Sequence, residues 1–237
     1  MSRIREVLDY TKFFVQDVND SVHDFDHICA VLANAQRAIL YAPHLSEDEK
    51  EMILLASILH DVDDVKVFPD SKDYENARYI LRQFLPDEEP KISIIITMIK
   101  LVSTRLNGNE DYGVEEWMLY PRYADRLEAT GEIGIQRAKL YSYYINRPLF
   151  SPETKRATTL EELYEIATEQ RFKDYVSGKN KEKHPDTFID HLYDKVIHLG
   201  REELYKYTIN LYIISEFALR HQVVVDYLLE FGRNGTI

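Results

Sequence analysis

The stretch Leu54-Leu55-Ala56-Ser57-Ile58-Leu59-His60-Asp61-Val62-Asp63-Asp64-Val65-Lys66-Val67-Phe68 decides how this chain is read. Just upstream, Ser46 and Glu49 form a capping-box pattern, and Met52, Leu55, Ala56 and Leu59 follow at helical spacing. A strongly apolar helix therefore ends in a histidine and an aspartate. An ionised carboxylate at the end of a buried helix costs free energy unless a cation compensates it. A divalent metal is a natural partner, because imidazole offers a neutral nitrogen and a carboxylate an anionic oxygen. The competing reading is a helix end that reaches solvent and leaves both side chains exposed.

Outward from that helix the same periodicity recurs. Asn19, Asp20 and Ser21 offer N-caps for a helix to about Tyr41, with Ile28, Val31, Leu32, Ala35 and Ile39 on one face and Pro43 beyond it. Asp70 and Ser71 can cap a helix through Phe84, and Pro86-Asp87 marks another start. The β-branched run Ile92 to Ile96 has strand propensity but is read as helix, since helical patterns flank it and no partner strand is visible. Thr158 with Glu161 and Thr159 with Glu162 give overlapping capping boxes. His184-Pro185-Asp186 opens a helix that Gly200 should end, and a long final helix carries Tyr207 to Leu229 before Gly232. The polar, basic segment 177–185 is the best candidate for a mobile stretch. The expectation is an all-α protein, with a catalytic core at residues 1–150 and a helical extension at 151–237 packed on it.

Composition agrees. Among 237 residues, 45% are apolar, and there are only eight glycines and eight prolines, which favours long helices over a turn-rich β fold. Net charge is −12, so nonspecific nucleic-acid binding is not expected, while a small phosphorylated ligand is compatible if a divalent ion reverses the local field. Cys29 is the single cysteine, which precludes an internal disulfide; it is read as a small buried hydrophobe. There is no apolar run long enough to span a bilayer and no signal-peptide h-region at the N-terminus, so no membrane partner and a cytoplasmic protein are expected.

Further candidates for chemistry lie on both sides of the central stretch. His23 and His27 stand at i, i+4, which places both on one helix face. Asp125 follows the mostly apolar lead-in Trp117-Met118-Leu119-Tyr120; read structurally, it is an aspartate paired with a neighbouring arginine. Asp64 lies four residues after His60, one helical turn on if that helix continues. His184, His191 and His198 share a seven-residue spacing that does not suit chelation from one helix, and are read as surface or packing residues.

Taken in order, His27, His60-Asp61 and Asp125 resemble the signature of the HD-domain superfamily of metal-dependent phosphohydrolases: His, His-Asp, Asp on an all-helical core. His23-Asp24-Phe25-Asp26-His27-Ile28 is similar to the family's His-x-x-x-His-Ile opening. HDVDDVKVF at 60–68 and ADRLEATGEIGIQRA at 124–138 resemble the HD-x-x-D-x-K and ADRL stretches of a bacterial and fungal subgroup. The resemblance implies one divalent ion (Mn, Mg, Fe, Co, Ni or Zn) held by His27, His60, Asp61 and Asp125. It implies that Asp64 orients or deprotonates the attacking water, with His23, Lys66 and Arg126 facing substrate. The implied activity is hydrolysis of a phosphate ester or anhydride, with a nucleotide as substrate; self-association into a homodimer is left open. The alternative is a catalytically silent HD module that binds metal or nucleotide as a sensor or scaffold. Two departures bear on the substrate. The subgroup's His-x-Ser segment corresponds to Met98–Ser103, which lacks a histidine, and Tyr123 and Glu128 replace aspartates.

Overall fold

The computed structural model describes residues 2–15, 25–65, 68–201 and 208–236. These residues are mostly helical and contain no β-strand, so the all-α expectation holds, and Ile92 to Ile96 lie within a helix. The chain forms two compact units, Met1–Ser103 with Asp111–Asp125, and Thr104–Glu110 with Arg126–Ile237. They divide at Asp125–Arg126, whereas the sequence expectation put a boundary near residue 150.

The first unit contains α1 (Ser2–Val15), α2 (Phe25–Leu40), α3 (Glu47–Leu59), α4 (Glu75–Phe84) and α5 (Glu89–Val102). Ser46 and Glu49 cap α3 reciprocally, as the pattern predicts. Ile53, Leu55, Ala56, Ile58 and Leu59 are fully buried, because α3 is packed by α1, α2 and α5. A helix buried nearly all round has no amphipathic stripe, which is why its end can deliver polar groups into the interior. Cys29 on α2 is only half-buried. The candidate caps Asn19, Asp20 and Ser21 lie outside the described residues.

The chain continues through α6 (Thr104–Asn107), a 3₁₀ turn at Glu116–Leu119, α7 (Tyr120–Glu128) and α8 (Gly131–Tyr144). The second unit then adds α9 (Leu160–Ile166), α10 (Glu169–Val176), α11 (Asn180–Lys183), α12 (Phe188–His191), a π-helical turn Leu192–Val196 and α13 (Ile197–Leu199). Its last element is α14 (Leu211–Asn234), beyond Tyr207, which is outside the described residues. Phe188, Ile189, Leu192, Val224 and Leu228 meet in its core.

Several local expectations change. Helix α4 starts at Glu75, later than Asp70 and Ser71 suggest. Thr158 donates to Glu162, not Glu161, so one capping register is used. The helix expected to open at His184 begins at Phe188, with Thr187 as its cap. Gly232 does not end α14; the helix runs on to Asn234 and closes on Gly235 at φ 69°. Gly232 is instead a point of close approach, since a Cβ there would stand 1.8 Å from the Ala157 carbonyl oxygen. The 177–185 segment is pinned: Lys183 Nζ reaches Asp174 at 2.7 Å and Asn180 Nδ2 reaches Asp194 at 2.7 Å.

Candidate metal centre

Helix α3 ends at Leu59, and His60 is its C-cap with helical dihedrals. His60 Nδ1 lies 2.9 Å from the Ser57 carbonyl, one of the carbonyls left without a partner in the last turn. A carbonyl only accepts, so Nδ1 carries a proton and Nε2 points into the site. That arrangement fixes the tautomer a metal ligand needs. His60 is buried, which overturns the reading of a solvent-facing helix end.

His27, two residues into the described part of α2, is also buried and places its Nε2 3.2 Å from that of His60. The rings meet edge to face at 72°, with centroids 5.1 Å apart. Asp61 Oδ2 lies 3.1 Å from His60 Nε2 and 3.5 Å from His27 Nε2. Asp125 Oδ1 lies 3.3 Å from His27 Nε2 and 3.7 Å from His60 Nε2. Asn34, two turns beyond His27 on α2, donates to the Ala124 carbonyl over 3.5 Å and so holds the residue beside Asp125. Donor atoms of His27, His60 and Asp61 all fall within 4.8 Å of one another, a possible metal-binding group.

Electrostatics expresses what such a cluster lacks. Burial alone would depress the His60 imidazolium, but Asp61 and Asp125 overcome it and push the pKa up to about 9. Burial alone would raise Asp125, yet the hydrogen bond from His27 and the charge of His60 hold it down at about 2. Two imidazoles and two carboxylates thus demand a positive charge, which a proton on His60 supplies in the metal-free chain. The donor set fits a divalent ion, which two carboxylates would formally neutralise.

The other expected site residues fall differently. Asp64 follows the helix end in a turn, half-buried; its N–H donates to the Asp61 carbonyl at 3.1 Å and its carbonyl accepts from Phe68 N at 2.7 Å. The neighbouring Asp63 is engaged elsewhere: its carboxylate accepts from Asn76 N at 3.0 Å, Ala77 N at 2.9 Å and the Ser71 hydroxyl. Arg126 is fully buried, and its guanidinium is committed to the Gly108 carbonyl and, at 3.1 Å, Asn109 Oδ1. The expectation that Arg126 meets substrate is replaced by a loop-bracing role. His23 and Lys66 lie outside the described residues. Sequence reasoning missed Ser57 and Asn34, because neither a carbonyl nor a lone asparagine leaves a motif.

No protein-family model matches the chain. An uncharacterized protein of Acanthamoeba polyphaga mimivirus is 40% identical over 230 residues, which cover 92% of this chain and 91% of that one. Three solved structures are similar across nearly the whole length. One is from Lactobacillus plantarum, with TM-score 0.67 and 20% identity over 99% of this chain and 97% of the other. Another is an HD-superfamily hydrolase from Bacillus thuringiensis, with TM-score 0.63 and 19% identity over 97% and 95%. The third is Bacillus subtilis YpgQ in complex with ADP, with TM-score 0.64 and 16% identity over 98% and 95%. The fold is that of the HD-domain superfamily. The chain belongs to one family with the mimivirus protein.

Proposed function

We propose that this protein is a metal-dependent phosphohydrolase that cleaves a phosphate ester or anhydride of a nucleotide. The observation that carries the reading is the convergence of His27, His60, Asp61 and Asp125 within one compact unit. The hydrolase and the ADP complex among proteins of similar fold support the reaction and the substrate class. One divalent ion (Mn, Mg, Fe, Co, Ni or Zn) would be held by these four residues and would supply Lewis-acid polarisation of a phosphoryl oxygen and of water.

The chain's own groups do the rest. Ser57 holds the His60 ring so that Nε2 faces the site. Asp64 is the base that takes a proton from the attacking water, and Asp63 is excluded from that task because its carboxylate oxygens accept from the start of α4. The test is a turnover screen of the purified protein with Mn²⁺ over nucleoside mono-, di- and triphosphates, following release of phosphate or pyrophosphate. Turnover of at least one nucleotide is expected. Stoichiometric metal with no turnover of any would favour the sensor or scaffold reading instead.

A further inference from the structure

We propose that Asp63 and Asn76 are positioning residues that lock the His60–Asp61 turn onto the start of α4; the inference rests on the metal-site reading above. Helix α4 cannot cap itself. Its N-cap residue, Tyr74, sits in the left-handed region at φ 60° and ψ 39° and makes no side-chain cap hydrogen bond. The first N–H groups of a helix need acceptors, and a carboxylate there also complements the helix dipole. Asp63 supplies both acceptor oxygens from a distant place in the chain: Oδ1 accepts from Asn76 N at 3.0 Å and Oδ2 from Ala77 N at 2.9 Å.

The lock is reciprocal. Asn76 Nδ2 returns a hydrogen bond of 2.8 Å to the Val62 carbonyl, and the Ser71 hydroxyl donates to Asp63 Oδ1. Val62 and Ala77, one on each side, are fully buried, so these hydrogen bonds join segments that lie away from water. The arrangement shares the reciprocity of a capping box but is made between segments, with the Asn76 amide donating to a carbonyl where a capping-box side chain would accept. Asp61 is the residue immediately before this bonded pair, and His60 precedes Asp61. Beyond Leu59 the helical ladder gives way to shorter turns, Val62 N to the Leu59 carbonyl at 3.4 Å and Asp64 N to the Asp61 carbonyl at 3.1 Å, and the α4 contacts join these in holding the far side of the turn.

The experiment compares Asp63→Ala, Asn76→Ala and Ser46→Ala. Ser46→Ala removes an ordinary cap at the opposite end of α3, so it controls for lost stability alone. Mn²⁺ affinity is measured by electron paramagnetic resonance, and the His60 ring shifts by NMR in EDTA. Asp63→Ala should weaken Mn²⁺ binding about 10–100-fold, as expected when support behind a ligand is lost. Asn76→Ala, which leaves the cap on α4 intact and cuts only the bond to Val62, should weaken it in the same direction. Ser46→Ala should leave affinity unchanged. In metal-free protein, the His60 ring signals should move in the first two variants and stay in the third. If Asp63→Ala fails to fold, Asn76→Ala decides. Wild-type affinity and unmoved His60 signals in Asn76→Ala overturn the inference, as does an equal loss in Ser46→Ala. A wild-type protein that binds no Mn²⁺ overturns the metal-site reading instead, and the ring shifts then judge the positioning role separately.

Discussion

Each compact unit buries a cluster of charge, and the two are built on opposite plans. In the second unit, Arg171 brings its own cation to two aspartates. Its Nη2 meets Asp190 at 2.7 Å, and its Nε meets Asp194. Asp190 Oδ2 also accepts from the hydroxyls of Thr187 at 2.7 Å and Thr154 at 2.9 Å, and Asp194 Oδ2 accepts from Asn180 at 2.7 Å. The guanidinium lies 5.2 Å from the centre of the Tyr193 ring. In the first unit, two carboxylates converge on two imidazoles, and the compensating charge is a proton that a metal can displace. A buried ion pair that the chain completes by itself is architecture. On the metal-site proposal, a set of donors that takes its cation from a proton is where an ion would bind.

The largest expected effect that would break this contrast is at Asp61. Asp61→Ala should abolish stoichiometric metal while leaving a folded protein, because a unit of this size keeps its core without the ion. Metal analysis after purification without chelator, beside circular dichroism, reads both; retained metal would count against Asp61 as a ligand. Next is Asp64→Asn, which keeps size and hydrogen bonding but not basicity. Turnover should fall about 10²–10⁴-fold with metal content unchanged, as for loss of a general base. If Asp64→Asn stays fully active while Asp63→Asn loses activity, the assignment of the base is wrong.

The second unit supplies the matching test. Arg171→Met leaves Asp190 and Asp194 buried without their cation, at a cost of about 3–5 kcal/mol. Urea unfolding should show a lower midpoint, and adding Asp190→Asn and Asp194→Asn should recover part of it, since neutral amides carry a smaller desolvation penalty. An unchanged midpoint in the single variant would mean that the cluster is wetter than its burial indicates.

What could be read from the sequence follows from how far each interaction reaches. Helices betray themselves by periodicity, and His27, His60, Asp61 and Asp125 by residue types whose burial demands a partner; the structure brings those four together. The Asp63 cap on α4 was not legible, because its acceptor and donors are 13 and 14 positions apart and the helix's own N-cap position holds a tyrosine. The Arg171 cluster was hidden for the same reason, its partners lying 19 and 23 positions away. Gly232 looked like a helix stop because glycine serves both at a left-handed cap and at a close approach, and only the Ala157 contact tells which. Arg126 looked substrate-facing because a motif gives a residue's type but not the direction in which its side chain leaves the helix.

The smallest expected effect sharpens the contrast through pH. In the metal-free protein, the His60 pKa is raised from 6.5 to about 9, because Asp61 and Asp125 outweigh its burial. A raised histidine contributes stability that is complete below the unfolded value and is lost as pH climbs through the folded one. Between pH 7 and 9 the folded chain therefore holds a proton that the unfolded chain has released. Stability in EDTA should fall by at most about 1.4 kcal/mol per pH unit across that window. In the second unit, His184 and His198 add nothing to that slope. Burial depresses His198 to about 3 and also lowers His184, so both are neutral, folded or unfolded, above pH 7. Its buried Tyr193 and half-buried Tyr227, pushed up to about 12, matter only above pH 10, where unfolded tyrosine ionises. The guanidinium of Arg171 does not titrate in this range. Saturating Mn²⁺ should flatten the slope, since the ion replaces the His60 proton, and its apparent affinity should rise with pH up to about 9. Urea midpoints from pH 7 to 9, with EDTA and then with Mn²⁺, provide the measurement. A flat profile in EDTA would mean that the two imidazoles share no extra proton, and that the cluster does not call for a cation.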